Sequence, residues 1–250
     1  MPVTIPRESV PSRPIVPTGT TRVRGVLFDL DGTLYAQRPL RAWMAAELAA
    51  HVARHPRSGL LTARVLRAYR HAQEVLRHAG EPYDATQQLA LAATRSGVQR
   101  SEAALVVNES MFERPLKYLR RHRAPGVDGL LSALAGRGLR LGVLSDYAAD
   151  RKLEALRIRQ WFPDVWCAGD DDVRALKPSP RGFLAACARW RIEPGEALMV
   201  GDRADADGAG AAAAGMRAVI VGRSHADVMT SGMMFVTSLE QVSRVIDECS

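Results

Sequence analysis

Cysteine is scarce in this sequence and is not spaced for structural bonds or metal binding. The 250-residue chain contains only three cysteines, Cys167, Cys187 and Cys249. They are odd in number, widely spaced and form no CxxC pair, so we expect neither a disulfide framework nor a zinc site. This usage fits a reducing compartment and predicts a cytoplasmic location.

Long apolar runs are also missing. No uninterrupted apolar stretch is long enough to cross a bilayer, so we expect a soluble protein that does not enter the membrane. Residues 1–22 contain five prolines and no apolar segment of the kind found in signal peptides. We therefore predict a flexible N-terminal extension there.

Lysine is nearly absent from a chain that is otherwise basic. The only lysines are Lys117, Lys152 and Lys177, although lysine and arginine together number 34 and the formal net charge is +7. The arginines are scattered, and their densest cluster, at residues 120–123, has no interleaved aromatic residues, so nucleic acid is not the expected partner. Positive charge also attracts phosphorylated metabolites. A loop lysine in so lysine-poor a chain is a candidate functional residue.

Hydrophobic periodicity divides the chain into two kinds of segment. An apolar strand at residues 23–29 is followed by helical spacing, and beyond residue 125 short apolar strands alternate with helices. Such alternation predicts a parallel sheet covered by helices on both faces. The predicted fold class is therefore α/β, with a Rossmann-like catalytic core at residues 23–35 and 126–250. Residues 36–125 are predicted to form an all-helical cap inserted after the first strand.

Both segments can be divided further from local signals. The helices predicted in the inserted segment span residues 40–54, 61–78, 86–95 and 102–121. Asp84 and Ser101 are the expected N-caps of the third and fourth of these helices. The strands predicted after the first one span residues 139–144, 165–167, 197–200 and 217–221.

The most informative motif is DLDGTL, at residues 29–34, which directly follows an apolar run. Gly32 lets the chain turn sharply where the strand ends, so the carboxylates of Asp29 and Asp31 can approach one point beyond the strand. Two crowded carboxylates repel each other unless a cation or a shared proton intervenes. An Asp-Gly pair is also common in ordinary turns, so the later segments have to decide between a turn and a metal site.

Three later segments supply further polar groups. Ser145 follows a predicted strand, and Lys177 lies in a Leu-Lys-Pro sequence just before a predicted helix. Another strand ends at Asp202, with Asp207 close behind. Together these residues would place two carboxylates on a metal ion, leave one carboxylate free to attack, and offer a hydroxyl and an ammonium to phosphoryl oxygens. Hard oxygen ligands around a divalent ion favour Mg²⁺.

The four motifs occur in a characteristic order: DLDGTL, a serine after the next predicted strand, Lys177-Pro178, and GD-x4-D beginning at Gly201. This set resembles the haloacid dehalogenase superfamily, specifically its phosphatases with a helical cap inserted after the first strand. The resemblance covers residues 23–248; each motif is weak alone, but their combination is specific. It implies a Mg²⁺-dependent phosphatase that hydrolyses a small phosphomonoester through an aspartyl-phosphate intermediate.

The resemblance also implies a role for each motif residue. Asp29 would be the nucleophile, and Asp31 would protonate the leaving alcohol and later deprotonate the attacking water. Ser145 and Lys177 would bind the transferred phosphoryl group. The implied Mg²⁺ ligands are Asp29, Asp31 through its backbone carbonyl, Asp202 and, directly or as a partner of another ligand, Asp207.

Three other functions share features of this motif set. The dehalogenases of this superfamily use no metal and lack the second aspartate of the first motif, so Asp31 and Asp202 favour phosphate chemistry. A phosphomutase uses the same core, and these motifs do not separate it from a phosphatase. A non-catalytic binding protein that retains the fold is the third alternative, although both aspartates of the first motif are present.

The sequence does not specify the leaving group. A sugar phosphate, the phosphate of a small acid or a nucleotide would each fit, and the oligomeric state is left open. Residues that are candidates for contacting the leaving group, or for lining the entrance, are Arg38, Arg41, Trp43, Tyr83, Tyr35 and Tyr147.

Overall fold

The computed structural model describes residues 22–80, 82–222 and 232–248 of the chain. The predicted extension at residues 1–22 lies outside these ranges except for Arg22, and Cys249 lies outside them as well. Within the described ranges, no helix combines the length and the apolar character that crossing a membrane requires.

The described residues form one six-stranded sheet. Its strands are β1 (Gly25–Phe28), β2 (Arg140–Ser145), β3 (Asp164–Cys167), β4 (Ala197–Gly201), β5 (Arg217–Val221) and β6 (Met233–Val236). They are arranged in the order β3-β2-β1-β4-β5-β6, and every neighbouring pair is parallel. The predicted parallel α/β sheet is thereby confirmed.

β6 is a correction to the five predicted strands. It pairs with β5 through residues that are all half-buried. Its sequence, Met-Met-Phe-Val, is short and lacks the alternation of apolar and polar residues that marks a strand. The pairing with β5, rather than local sequence, therefore defines this strand.

The segment between β1 and β2 is helical, as predicted. Its helices are α1 (Gln37–Arg54), α2 (Pro56–Ala79), α3 (Ala85–Ser96), α4 (Arg100–Val107) and α5 (Leu116–Leu119). Helices α2, α3 and α4 bury a small apolar cluster of their own, which includes Val65, Tyr69, Ala92 and Ala103. This helical insertion corresponds to the predicted cap, whose boundaries at residues 36 and 125 remain a prediction.

The fourth predicted helix, at residues 102–121, is interrupted. The chain leaves α4 at Val107 and forms a wider π-helical turn at Asn108–Glu113 before α5 begins. Pro115 immediately precedes α5. Because proline has no backbone N–H, it cannot continue the hydrogen-bond ladder of a preceding helix, which is consistent with a break at this point.

One of the two predicted N-caps is correct. The Asp84 carboxylate accepts a hydrogen bond from the backbone N–H of Thr86 at 2.7 Å and caps α3. The prediction for Ser101 is wrong, because α4 begins at Arg100 and Gln99 occupies its cap position. The chain is already helical at Ser101, so its hydroxyl is not at the start of the helix.

Helices cover both faces of the sheet. They are α6 (Val127–Gly136), α7 (Asp150–Ala155), α8 (Arg181–Trp190), α9 (Ala209–Ala213) and α10 (Glu240–Glu248). Helices α6, α7 and α10 share one apolar core with Val26 and Phe28 of β1, and α8 and α9 share a second core with Leu27. A central strand buried on both faces explains why β1 is a continuous apolar run.

Candidate active site

The carboxyl ends of three strands bring most of the predicted site residues together. β1 lies between β2 and β4 and runs parallel to both. Asp29 follows β1, Ser145 is the last residue of β2, and Asp202 follows β4. These residues therefore lie at the same edge of the sheet, where parallel α/β folds place their active sites.

Three carboxylates form a compact cluster at this edge. Asp29, Asp202 and Asp207 each offer one oxygen, and these oxygens lie within 4.8 Å of one another. Asp29 and Asp207 are both buried. The carboxylate of Asp31 is instead paired with Lys152. A contribution of Asp31 to a metal site would thus come from its backbone carbonyl, as the resemblance implies.

Burial and mutual repulsion disfavour the charged forms of these acids. Burial raises the pKa of Asp29 to about 7 despite the attraction of Lys177, and the neighbouring carboxylates add to the increase. Burial, together with repulsion from Asp207, raises the pKa of Asp202 to about 6. A divalent cation would favour the ionised carboxylates, and hard oxygen ligands suit Mg²⁺. The donor set therefore fits a magnesium ion.

Two glycines leave room for the acidic side chains. Gly32 has a φ of +114°, and a Cβ there would collide with the Asp202 carboxylate. A Cβ at Gly201 would overlap the Asp207 side chain in the same way. Glycine at position 32 therefore serves two needs, since it adopts the positive φ and lets the loop approach the neighbouring strand end.

We expect Gly32→Ala to weaken Mg²⁺ binding by about tenfold or more, because the added methyl group displaces the Asp202 carboxylate. Isothermal titration calorimetry with Mg²⁺ measures this change directly. Gly129→Ala is the matched control, because Gly129 is exposed in α6 and an added Cβ there meets no atom within 4 Å. Unchanged Mg²⁺ affinity in Gly32→Ala would argue against a metal ligand at Asp202.

Lys177 pairs with two of the three clustered acids. Its Nζ donates to Asp29 Oδ1 at 2.5 Å and to Asp207 Oδ1 at 2.6 Å. Burial alone would lower the pKa of Lys177, but the attraction of Asp29 and Asp207 raises that pKa above its ordinary value. The ammonium is therefore a permanent cation within the site.

Two hydroxyl groups lie beside the acids. Thr33 Oγ1 donates to Asp29 Oδ2 at 3.2 Å and so orients the carboxylate that would attack phosphorus. Ser145 is buried, and its Oγ accepts a hydrogen bond from the backbone N–H of Tyr147 at 3.2 Å. Because Ser145 Oγ acts as the acceptor in that bond, its own proton is available to a bound anion.

Lys152 is a site residue that the sequence analysis did not assign. Its Nζ donates to both carboxylate oxygens of Asp31, at 2.6 and 2.8 Å, and the Tyr35 hydroxyl donates to Asp31 Oδ1. Burial alone would raise the pKa of Asp31, but the charge of Lys152 and the hydrogen bonds from Lys152 and Tyr35 outweigh it and hold that pKa below its ordinary value. The rarity of lysine was the only sequence signal for this residue.

We expect Lys152→Met to lower kcat by on the order of 10²-fold, because Asp31 loses the partner that orients its carboxylate. Lys152→Arg should recover part of this loss, since it keeps a cation that donates hydrogen bonds. Initial rates of aryl phosphate hydrolysis measure both effects. Lys117→Met is the control, because Lys117 is exposed and pairs with Glu47 away from the site. Wild-type kcat in Lys152→Met would show that Asp31 needs no such partner.

Helix α2 contacts the loops that surround the acids. Arg77 Nη2 pairs with Asp146 at 3.0 Å, and Arg77 also donates to the backbone carbonyl of Lys177. The Tyr147 hydroxyl donates to Gln73 Oε1 at 2.7 Å. The helical insertion is therefore tied to the two loops that carry the predicted phosphoryl-binding residues.

A cavity of about 710 Å³ lies between the helical insertion and the strand ends. Its volume is typical of small-molecule sites. All of the predicted site residues line it, namely Asp29, Asp31, Ser145, Lys177, Asp202 and Asp207. The structure thus brings the whole predicted set to one cavity.

Only some of the residues predicted to contact the leaving group or to line the entrance lie at the cavity. Arg41, Tyr35 and Tyr147 line the cavity. Trp43 is exposed and stacks on the ring of Tyr118. Tyr83 is buried, and its hydroxyl donates to Gln88 at 2.6 Å. A packing role therefore accounts for Trp43 and Tyr83.

Comparison with known proteins gives concordant matches. Residues 23–215 match the family model described as haloacid dehalogenase-like hydrolase. The glyceraldehyde 3-phosphate phosphatase of Methanopyrus kandleri is 30% identical over 213 residues, which cover 80% of this chain and 84% of that protein. The phosphoglycolate phosphatase of Shigella boydii serotype 4 is 29% identical over 191 residues, with coverage of 72% and 74%. A crystal structure of 2-haloacid dehalogenase from Pseudomonas syringae pv. Tomato DC3000 is 27% identical, with a TM-score of 0.64 and coverage of 91% of this chain and 100% of that one.

The match to the family model includes every residue of the predicted site and most of the chain. The relatives from Methanopyrus and Shigella are both named as phosphatases. The resemblance drawn from four short motifs is thereby confirmed. This chain belongs to the haloacid dehalogenase-like hydrolases, as a member of the phosphatase type.

Proposed function

We propose that this protein is a Mg²⁺-dependent phosphatase that hydrolyses a small phosphomonoester through an aspartyl-phosphate on Asp29. The observation that carries the proposal is the placement of Asp29, which lines the cavity, contacts Lys177 and belongs to a cluster of three acids. Burial is the main cause that raises the pKa of Asp29 to about 7, which means that the charged form of this buried carboxyl group disfavours the folded state. Such perturbed groups in a cavity indicate a functional site.

The reaction has two balanced steps on this arrangement. An oxygen of Asp29 attacks phosphorus, the ester P–O bond breaks, and Asp31 gives a proton to the leaving alcohol. A water molecule then loses a proton to Asp31 and attacks phosphorus, which breaks the bond to Asp29 and releases inorganic phosphate. Asp31 thus ends in the protonation state in which it began.

Asp31 has to change its protonation state during the cycle. In the structure Lys152 and Tyr35 favour its charged form, which suits the base of the second step. The negative charge of a bound phosphoryl group acts in the opposite direction and favours the protonated acid of the first step. Lys152 and the substrate therefore have opposing effects on the pKa of the same carboxyl group.

The remaining groups of the site bind charge. Lys177 and the Ser145 hydroxyl would hold oxygens of the phosphoryl group as it is transferred. Asp29, Asp202, Asp207 and the backbone carbonyl of Asp31 are the groups that would hold Mg²⁺. When bound, this ion supplies positive charge that neutralises the phosphoryl oxygens.

Residues 36–125 act in this proposal as a cap over the cavity. The contacts of Arg77 with Asp146, and of Gln73 with Tyr147, support this role because they join α2 to the loops of the core. Closure of such a unit would exclude bulk water from the aspartyl-phosphate. The cysteine usage supports a cytoplasmic location for the enzyme.

The substrate proposed is a small phosphorylated metabolite. A glyceraldehyde 3-phosphate phosphatase and a phosphoglycolate phosphatase among the relatives support this class. One similar structure is that of a 2-haloacid dehalogenase. Asp31 and Asp202 favour phosphate chemistry over dehalogenation, because they supply a second acid and a metal ligand to the site.

The proposal is tested by hydrolysis of 4-nitrophenyl phosphate before and after removal of divalent ions with EDTA. We expect turnover with Mg²⁺, loss of turnover on chelation, and recovery when Mg²⁺ is restored. Activity that persists in EDTA would contradict the metal dependence. A folded protein that hydrolyses no phosphomonoester would favour a non-catalytic role, and conversion of a sugar phosphate to its isomer without phosphate release would favour a mutase.

A further inference from the structure

One wall of the cavity carries three arginines without acidic partners. Arg41 on α1 and Arg67 and Arg70 on α2 line the cavity, and all three are exposed. Within the part of the chain that the structure describes, their guanidinium groups form no ion pair and no hydrogen bond. These side chains therefore present uncompensated positive charge to the cavity.

The other two arginines of the helical insertion that line the cavity are already engaged. Arg77 pairs with Asp146 at 3.0 Å and with Glu74 at 3.3 Å. Arg114 pairs with Glu109 at 3.2 Å. Glu74 and Glu109 are thus paired with Arg77 and Arg114. The positive charges of Arg41, Arg67 and Arg70 therefore remain uncompensated.

A buried donor lies on the same helix face. Gln73 lines the cavity one helical turn beyond Arg70 and is 7% exposed. Its Oε1 accepts the hydrogen bond from Tyr147, while its Nε2 has no partner among the described residues. Buried donors in native proteins are nearly always paired, and pairing of this amide with a bound acceptor requires the Gln73 side chain to turn toward the cavity.

We infer that the wall formed by Arg41, Arg67, Arg70 and Gln73 is a second anion subsite, and that the leaving group of the substrate carries a carboxylate or a second phosphate. This inference rests on the proposed function, which places the reacting phosphate at Asp29. A neutral leaving group would leave three cations and a buried amide donor unused.

The chemistry of the wall fits such an anion. The guanidinium group presents several N–H donors in a planar fork that matches both carboxylate and phosphate oxygens. Along α2, Arg70 lies three residues from both Arg67 and Gln73, so each of these pairs is adjacent on the helix surface, and all three residues line the cavity. In the proposed function, the reacting phosphate binds at the strand ends, where Lys177 and the cluster of three acids lie.

Three phenyl phosphates test the inference, with a carboxamide, a carboxylate or a second phosphate at the para position. We expect kcat/KM to be higher for the two anionic esters than for the carboxamide by about tenfold or more. Arg67→Gln and Arg70→Gln should each reduce this preference. Differences in leaving-group reactivity cancel, because the ratio is compared between enzymes.

Arg64→Gln is the matched control, because Arg64 is an exposed arginine of the same helix that lies outside the cavity lining. It should retain the preference of the wild type. A preference for the anionic esters that is the same in Arg67→Gln and Arg70→Gln as in the wild type would overturn the subsite while leaving the phosphatase assignment intact. The anionic ester whose preference falls more in Arg67→Gln and Arg70→Gln, relative to the wild type, identifies the anion as carboxylate or phosphate.

Binding of the corresponding non-hydrolysable phosphonates separates this inference from the proposed function. If no ester is hydrolysed, the phosphatase proposal fails, and calorimetry still decides the subsite. Tighter binding of the anionic phosphonates to the wild type and to Arg64→Gln, with that advantage reduced in Arg67→Gln and Arg70→Gln, supports it. Equal binding of the three phosphonates to the wild type overturns it.

Discussion

Asp29→Asn should reduce phosphatase turnover by about 10⁴-fold or more, because the amide that replaces the carboxylate is a poor nucleophile and no aspartyl-phosphate can form. The carboxylate is held for attack by the hydrogen bond from Thr33 and by the contact with Lys177. Long incubations with 4-nitrophenyl phosphate and saturating Mg²⁺ measure the residual rate. Near-wild-type turnover in this variant would exclude Asp29 as the nucleophile.

The loss should not come from unfolding, and the pKa of Asp29 gives the reason. Burial raises that pKa from 3.8 to about 7, so the contribution of this group to stability is complete below pH 3.8 and is lost as the pH rises to about 7. At pH 8 the neutral amide removes a buried charge that disfavours the folded state. Metal-free Asp29→Asn should therefore unfold at a temperature no lower than that of the wild type at pH 8.

Asp205→Asn is the matched control for this experiment. Asp205 lies close to Asp202 in the chain, but its side chain is exposed and pairs with Arg203 at 2.6 Å. The same change from acid to amide there should leave turnover and its Mg²⁺ dependence unaltered. A comparable loss in both variants would show general sensitivity to charge rather than a specific role of Asp29.

Asp31→Asn should separate the two steps of the reaction. Nitrophenolate leaves without a proton, so Asp29 still becomes phosphorylated, whereas hydrolysis of the aspartyl-phosphate lacks its base. With 4-nitrophenyl phosphate we expect a burst of about one nitrophenolate per active site, and then a steady rate lowered by about 10²–10⁴-fold. Stopped-flow absorbance measures both phases. An alkyl phosphate should give no burst, because its leaving group needs the missing acid.

The comparison with Lys152→Met makes this experiment more specific. That variant keeps the Asp31 carboxylate but removes the ammonium that contacts both of its oxygens. Its steady rate should fall less than that of Asp31→Asn. A steady rate at the wild-type level in Asp31→Asn would contradict the assignment of Asp31 as the base of the second step.

The catalytic motifs were predictable because their signals are local in the chain. Asp29, Ser145 and Asp202 each follow or end an apolar strand, and the carboxyl ends of parallel strands meet at one edge. Gly32 was recognisable as a turn residue, although its close approach to Asp202 was not. The alternation of strands and helices beyond residue 125 was sufficient for the fold class, because it requires a parallel sheet.

Local signals were weaker where partners on other strands or helices supply the stabilisation. β6 is defined by its pairing with β5, and its four residues lack a strand pattern. The predicted helix at residues 102–121 was too long, because the regular spacing of its apolar residues outweighed the proline within it. The prediction of Ser101 as an N-cap was wrong because capping requires the residue just before the first helical turn, and residue type alone does not fix where that turn begins.

The order of the motifs along the chain was enough to indicate the family, the reaction class and the residues at the strand ends, because each of those signals depends on neighbours in sequence. Side-chain partners from distant segments became visible only in the folded arrangement. Lys152 reaches Asp31 across 121 positions, and Arg77 reaches Asp146 across 69. The unpaired arginines of α2 can be recognised as a candidate anion subsite only because the structure shows that they line the cavity. Such contacts are set by how helices pack onto the sheet, and no spacing in the sequence encodes that packing directly.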